Sequence, residues 1–188
     1  VGSEMCIRDR QEVGATAGMR LLVTGARGAV GSIAVQLAAR LGCEVFAATR
    51  QPEQYPLVGP SVTAVLAGQE AAQGATALDG IIDTIGGAQL ADRLSLVRSG
   101  GACAVLGYAA GALSTLVLPA WPVANVRLIP INGIAHEALA RSLAPSLASD
   151  LLSGALRLPV NTYELDEIHE AMSSVRQGMV GGRAVIVP

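Results

Sequence analysis

The sequence predicts an α/β fold built on a doubly wound parallel sheet, and three observations support this prediction. Short apolar segments alternate with helical patterns as far as Leu152, as in a parallel sheet covered on both faces. Glycines follow the apolar segments, first at Gly25 and again at Gly86. The 188 residues are 51% hydrophobic, which is enough to bury a sizeable core.

The first unit of this fold runs from Arg20 to Leu41. Residues Arg20–Thr24 form a short apolar strand, and a glycine turn follows it. The next apolar residues recur with the period of one helix face: Val30, Ile33, Ala34, Leu37, Ala38 and Leu41. Gly42 then ends the helix. The order of strand, turn and helix opens a βαβ unit.

The glycine turn predicts an anion-binding site. The first N–H groups of a helix lack intrahelical partners and lie at the positive end of its dipole. Gly28 and Gly31 leave room for a pyrophosphate and for close packing of helix on strand. The spacing from Gly25 is G-x-x-G-x-x-G, with Ala26 where the strict fingerprint has glycine. A tight turn that binds nothing is the alternative, but the flanking strand and helix favour dinucleotide binding.

The second strand, Glu44–Thr49, indicates which dinucleotide. An acidic residue at its end would bind the ribose hydroxyls of NAD, but the sequence has Thr49-Arg50, and the next carboxylate is Glu53. A hydroxyl and a guanidinium suit a 2′-phosphate, because arginine makes forked, charge-assisted hydrogen bonds. We therefore predict NADPH as the cofactor. An ordinary exposed arginine is the alternative.

The remaining elements follow in order. We expect strands at Val62–Leu66, from Leu78 to the Gly86-Gly87 turn, at Ala102–Leu106, and at Val126–Ile131, the last at an edge because of Pro130. Residues 51–60 contain three prolines and should form at most a turn or two. A helix is expected from Leu90 to Val97, ended by residues 99–101. Another is expected over Glu137–Leu152, where Pro145 either kinks it or starts a second helix.

Several polar residues follow these strands, at the edge where such sheets bind ligands. Asp83 is either a catalytic acid or, as we favour, a residue that orients its own turn. Gly107 permits close approach of a ligand, and Tyr108 either stacks on that ligand or covers the sheet edge. His169 lies between two glutamates in a later helix and is interpreted as a surface residue. No catalytic residue can be named.

The composition excludes several functions. A net charge of −2 offers no electrostatic surface for nucleic acid. All 13 basic residues are arginine, so a P-loop, a pyridoxal Schiff base and a Tyr-x-x-x-Lys dyad cannot form. The three cysteines predict neither a zinc site nor a disulfide framework, and Cys43 and Cys103 read as buried thiols. No long uncharged apolar segment predicts a membrane span, so we expect a cytoplasmic protein that binds a small-molecule substrate.

Three regions are expected along the chain. Residues 1–19 read as a non-native tail and a linker, because Val1–Arg10 has no helix or strand period. Residues 20–157 form the dinucleotide-binding domain. Residues 158–188 differ in pattern: an extended segment, an amphipathic helix over Asp166–Gln177, and a closing strand at Arg183–Val187.

The ordered set of motifs resembles the medium-chain dehydrogenase/reductase superfamily, most closely its zinc-independent quinone oxidoreductase branch. The matching segments extend from the glycine turn to the last strand: residues 23–31, 83–87, 99–101, 105–107 and 181–187. The resemblance implies a Rossmann sheet of order 3-2-1-4-5-6. It also implies a preceding GroES-like catalytic domain, missing from this sequence, into which residues 158–188 would return.

The resemblance also implies site residues and an activity. Gly28, Ala29 and Val30 would contact the pyrophosphate, with Thr49 and Arg50 at the 2′-phosphate and Thr84, Gly107 and Asn132 along the path to the nicotinamide. The implied reaction is hydride transfer from NADPH to a quinone or an α,β-unsaturated carbonyl, and the full-length protein would be a homodimer joined through the Val126–Ile131 edge. The fragment alone is expected to turn over little.

Three other functions stay open. An enoyl reductase domain of a polyketide synthase has the same turn. A short-chain dehydrogenase would need glycine at Ala29 and a lysine. A non-catalytic NADP(H) sensor should keep a complete surface, whereas a fragment should expose an apolar patch on the helix from Asp166 and on the final strand.

Overall fold

A six-stranded parallel sheet forms the centre of the computed structural model, which describes residues 13–56, 59–132 and 137–188. Its order is β3-β2-β1-β4-β5-β6, which confirms the predicted doubly wound topology. The strands are β1 (Arg20–Val23), β2 (Glu44–Thr49), β3 (Val62–Leu66), β4 (Leu78–Asp83), β5 (Val97–Val105) and β6 (Arg127–Pro130). The helices on its faces are α1 (Ala29–Arg40), α2 (Leu90–Leu94), α3 (Ala120–Ala124) and α4 (Glu137–Leu152).

Two apolar clusters hold the helices against the sheet. Successive strand residues point to opposite faces, so Leu21 packs with Ile33 of α1, while Leu22 packs with Leu90 and Leu94 of α2. All five side chains are buried. Strands β1, β2 and β4 are buried on both faces along almost their whole length, which explains why their sequences are continuous apolar runs.

The crossovers at the β3 side of the sheet are short. Only a single 3₁₀ turn, Pro52–Gln54, lies in the described part of the β2–β3 connection, and another, Ala71–Gln73, lies between β3 and β4. The prediction of at most a turn or two among the prolines is confirmed there, while residues 57–58 lie outside the described residues.

The structure corrects the predicted end of the helix after β4. This helix stops at Leu94, and Val97 already belongs to β5, paired with Leu78. Residues 99–101 therefore lie within β5 and do not end the helix. A shift in register between Leu78 and Gly80 separates the early β5 pair from the main ladder, which resumes at Ala102. Backbone pairing with β4 overrides the helical spacing that the sequence suggested.

The other elements agree closely with the sequence. β6 is an edge strand, as Pro130 predicted, although it begins at Arg127 rather than Val126. Glu137–Leu152 is one helix that contains Pro145, so no second helix starts there. Val13, in the predicted linker, is buried in the core over Gly80. The predicted tail, Val1–Arg10, lies outside the described residues.

The last part of the chain forms its own small unit. Strands β7 (Val160–Glu164) and β8 (Arg183–Val187) pair in parallel, and helix α5 (Ile168–Arg176) connects them after a 3₁₀ turn. This unit meets the main sheet at the glycine turn, where Gly28 and Gly182 form an isolated parallel bridge. His169 is exposed, as expected. No described helix has both the length and the hydropathy that crossing a membrane requires.

Candidate functional site

The carboxyl ends of β1 and β4 lie side by side where the strand order reverses, and threonines connect them. The buried Thr24 hydroxyl donates to Asp83 Oδ1 at 3.1 Å and accepts from the Thr84 backbone N–H at 3.0 Å. The Thr84 hydroxyl donates to the Thr24 carbonyl oxygen at 2.8 Å. These bonds fix the point at which the two following loops diverge, the usual location of a ligand crevice in such sheets.

Asp83 is committed to holding its own turn. Besides the Thr24 hydroxyl, its Oδ1 accepts from the backbone N–H groups of Ile85 at 3.0 Å and Gly86 at 2.7 Å. Its Oδ2 accepts from the guanidinium of Arg93 on α2, and both side chains of this ion pair are buried. With four hydrogen-bond donors on its two oxygens, the Asp83 carboxylate orients the turn, as the sequence favoured. It is not placed to act as a catalytic acid.

The glycine turn packs closely against both the β4 loop and its own helix. Gly25 has φ of +59°, and a Cβ there would lie 2.5 Å from Thr84 Oγ1. A Cβ on Gly31 would lie 2.3 Å from the Gly25 carbonyl oxygen. These two glycines are therefore required by packing alone. Gly28 has only one near neighbour, the Gly25 oxygen at 3.2 Å from an ideal Cβ.

The amino end of α1 is suited to an anion. Its N-cap is Gly28, which supplies no capping side chain, and its first turn holds no acidic residue. The positive end of the helix dipole is therefore not neutralised by the helix itself. Ala29, Val30 and Gly31 form this first turn, so the predicted pyrophosphate contacts lie at one place.

The loop after β5 lies at the same carboxyl edge of the sheet as the loops after β1 and β4. A Cβ on Gly107 would lie 2.1 Å from the Thr84 carbonyl oxygen, so the loops after β4 and β5 are in direct contact. The Tyr108 side chain is 77% exposed, which shows that it does not cover the sheet edge. Stacking on a ligand remains a prediction. Asn132 follows β6 at the same edge and is exposed.

The end of β2 presents the residues predicted to select the nucleotide. The Thr49 side chain is buried, and its Oγ1 accepts from the Gln51 N–H at 3.3 Å. Arg50 is exposed, and its Nη2 donates to the Gly178 carbonyl oxygen at 2.5 Å. The C-terminal unit therefore touches this site, which the sequence did not indicate.

Arg27, inside the glycine turn, contacts the end of β2, which the sequence pattern did not indicate. Its guanidinium donates to the Gln51 side-chain oxygen beside Arg50. Its carbonyl oxygen accepts from the Gly182 N–H at 2.7 Å. A cationic residue between two glycines of a phosphate-binding turn was the available signal.

Two other features bear on chemistry. Burial in β5 raises the pKa of the Cys103 thiol, and the nearby Asp83 raises it further, so Cys103 is an inert core residue, as predicted. Among the described residues, no group of three or more His, Cys, Asp or Glu side chains is placed to hold a metal ion.

The fold and this edge define a Rossmann dinucleotide-binding domain of the medium-chain dehydrogenase/reductase superfamily. The family model described as zinc-binding dehydrogenase matches residues 29–144, and the chain belongs to that family. The relatives and solved structures that the chain resembles include acrylyl-CoA reductases and quinone oxidoreductases.

Individual relatives agree with this assignment. Acrylyl-CoA reductase AcuI from Ruegeria pomeroyi is 31% identical over 175 residues, which are 88% of this chain and 53% of that protein. Quinone oxidoreductase from Pseudomonas syringae pv. tomato superimposes with a TM-score of 0.82 at 21% identity, over all of this chain and 62% of that one. Escherichia coli quinone oxidoreductase, solved in complex with NADPH, also superimposes with a TM-score of 0.82, at 16% identity and with the same coverage of both chains. The chain spans about half the length of the curated relatives it matches.

Proposed function

We propose that this chain is the cofactor-binding part of an NADPH-dependent oxidoreductase that reduces a quinone or an α,β-unsaturated carbonyl compound. The observation that carries the proposal is the end of β2, where the exposed Arg50 guanidinium stands in place of a carboxylate. The NADPH complex of a protein with the same fold supports the cofactor, and the reductase named among the relatives supports the substrate class.

The residues present fit this dinucleotide. Gly28 places no side chain over the amino end of α1, which suits a pyrophosphate, and Arg50 offers a forked donor to a 2′-phosphate. Thr84 and Gly107 belong to the loops after β4 and β5, which would line the path to the nicotinamide. When bound, the nicotinamide would supply the hydride. The chain's own contribution is to bind and orient it at the edge of the sheet.

The exposed apolar residues of the C-terminal unit favour a cofactor-binding part over a self-contained sensor. Five apolar side chains on this unit are about half exposed or more: Val160 at 53%, Leu165 at 65%, Met172 at 47%, Val175 at 52% and Met179 at 64%. Such a patch normally docks against another surface. We therefore propose that a catalytic domain covers it in the whole enzyme and that the chain alone turns over little. Homodimerisation through the β6 edge belongs to the same proposal.

A titration of the purified chain with NADPH and with NADH, followed by nicotinamide fluorescence, tests the proposal. We expect tighter binding of NADPH, and Arg50→Ala should weaken NADPH about tenfold while changing NADH little, as for the loss of a hydrogen bond to a charged group. Arg141→Ala removes a charge from exposed α4 and serves as the control. Binding of neither nucleotide would contradict the proposal, and robust quinone reduction would contradict the need for a second domain.

A further inference from the structure

Two arginines have their side chains near the end of β2. Arg50 follows the strand directly, whereas Arg27 comes from the glycine turn and reaches across to the side-chain oxygen of Gln51. Since Gln51 is the next residue after Arg50, the hydrogen bond holds the Arg27 guanidinium at the residue that follows Arg50 in the chain. The sequence separates these arginines by more than a whole helix, and only the fold brings them together.

Both arginines bind neutral oxygens rather than carboxylates. The ion pairs among the described residues use other arginines: Arg20, Arg40, Arg93, Arg98 and Arg141. Arg27 donates to an amide oxygen and Arg50 to a backbone carbonyl. Neither guanidinium lies within ion-pair distance of a carboxylate in the described part of the chain. Their positive charges are therefore held in place without being neutralised.

The loop from Gly178 to Gly182 encloses the pair on one side. Gly178 supplies the carbonyl oxygen that accepts from Arg50, and Gly182 donates its N–H to the Arg27 carbonyl oxygen at 2.7 Å. A Cβ on Gly181 would lie 3.7 Å from Arg27 Nη2, so this guanidinium packs against the loop. The two arginines therefore both contact the same loop, Arg50 at Gly178 and Arg27 at Gly181 and Gly182.

We propose that Arg27 is a second 2′-phosphate-binding residue and that Arg27 and Arg50 together form a two-arginine clamp for this group. The inference rests on the proposed function and adds a specificity residue to it. A phosphate monoester carries about −1.5 to −2 charges at pH 7, which two guanidiniums match better than one. Gln51 and Gly178 hold the arginines through neutral hydrogen bonds, which are weaker than those that a phosphate oxygen would make.

The test is a set of titrations of the full chain with NADPH and with NADH. Arg27→Gln removes the charge, and Arg27→Lys keeps the charge but loses the fork. Arg141→Gln is the matched control on an exposed helix face. We expect Arg27→Gln to weaken NADPH about tenfold, the effect of one charge-assisted hydrogen bond, and to leave NADH within about twofold. Arg27→Lys should give an intermediate loss of selectivity, and the control should behave as wild type.

Several outcomes would overturn the inference. Equal weakening of both nucleotides by Arg27→Gln would assign Arg27 to the pyrophosphate or to folding, and unchanged selectivity would remove it from the site. Circular dichroism and thermal melting check the fold. If Arg27→Gln does not fold, unchanged selectivity in Arg27→Lys would overturn the inference. Failure of wild type to bind either nucleotide would instead overturn the proposed function and the inference with it.

Discussion

The Asp83 carboxylate and the Arg93 guanidinium form a buried ion pair that ties α2 to the carboxyl end of β4. Asp83 also accepts from two backbone N–H groups and one hydroxyl, so its charge is fully compensated. This pair therefore fixes the loop that carries Thr84, which in turn meets both the glycine turn and Gly107. The most buried charges in the described part of the chain support the site rather than act in it.

Removing Arg93 should be costly because it leaves the Asp83 charge buried without its partner. We expect Arg93→Met to lower the free energy of unfolding by about 3–5 kcal/mol. The double variant with Asp83→Asn should recover part of this loss. Glu137→Gln, which breaks an exposed pair with Arg141 on α4, should cost no more than about 0.5 kcal/mol. Urea denaturation measures all three, and equal costs for the buried and exposed pairs would contradict the prediction.

Two glycines of the same turn should respond differently to alanine. At Gly31 the new Cβ would lie 2.3 Å from a backbone oxygen, so Gly31→Ala should destabilise the fold by about 1–3 kcal/mol, as overpacking does. At Gly28 the nearest atom would be 3.2 Å away, so Gly28→Ala should cost less stability while weakening binding of both nucleotides. Thermal melting and nucleotide titration separate the two effects. A well-folded Gly28→Ala chain that binds normally would remove Gly28 from the pyrophosphate site.

Because of the Asp79 carboxyl, the free energy of unfolding should fall as the solution becomes acidic. Burial raises the pKa of Asp79, but hydrogen bonds from the Arg20 backbone N–H and the Arg98 side chain outweigh this and hold it below its usual value. A group with a depressed folded pKa stabilises above its unfolded pKa of about 4, and this stability is lost as the pH falls through the folded value.

Asp79→Asn should therefore lower the free energy of unfolding at pH 7 and remove part of its pH dependence. The difference between wild type and Asp79→Asn should shrink as the pH falls below the unfolded pKa of about 4. Urea denaturation at a series of pH values measures it. A difference that stays constant across this range would show that the lost contact is not electrostatic.

The apolar patch on α5 should promote association of the isolated chain. Val175 is 52% exposed, so Val175→Glu should change stability by less than about 0.5 kcal/mol while reducing self-association. Ser149→Glu adds the same charge to an exposed position of α4 and serves as the control. Sedimentation velocity gives the association state, and thermal melting checks the fold. A wild-type chain that stays monomeric at high concentration would contradict the prediction.

Much of the fold was predictable because each local pattern agrees with the tertiary structure. The bounds of β2, β3 and β8 follow the apolar runs, and α1 follows its helical period. The strand order, which the family resemblance implied, is also confirmed. The sequence was less informative where one residue fitted both a helical spacing and a strand. The helical spacing extended to Val97, but pairing with β4 takes that residue into β5.

The sequence by itself determined that a strand, a glycine turn and a helix follow one another, and that Arg50 stands where a carboxylate would favour NAD. These are properties of neighbouring residues. Only the tertiary structure decided that Arg27 meets Gln51, that Gly178 holds Arg50, and that Arg93 closes the ring of donors around Asp83. Gly178 and Arg50 are 128 residues apart, and no local periodicity reports a contact of that range. Such contacts depend on how the separately formed elements pack, because burial and hydrogen bonding are satisfied only in the assembled fold.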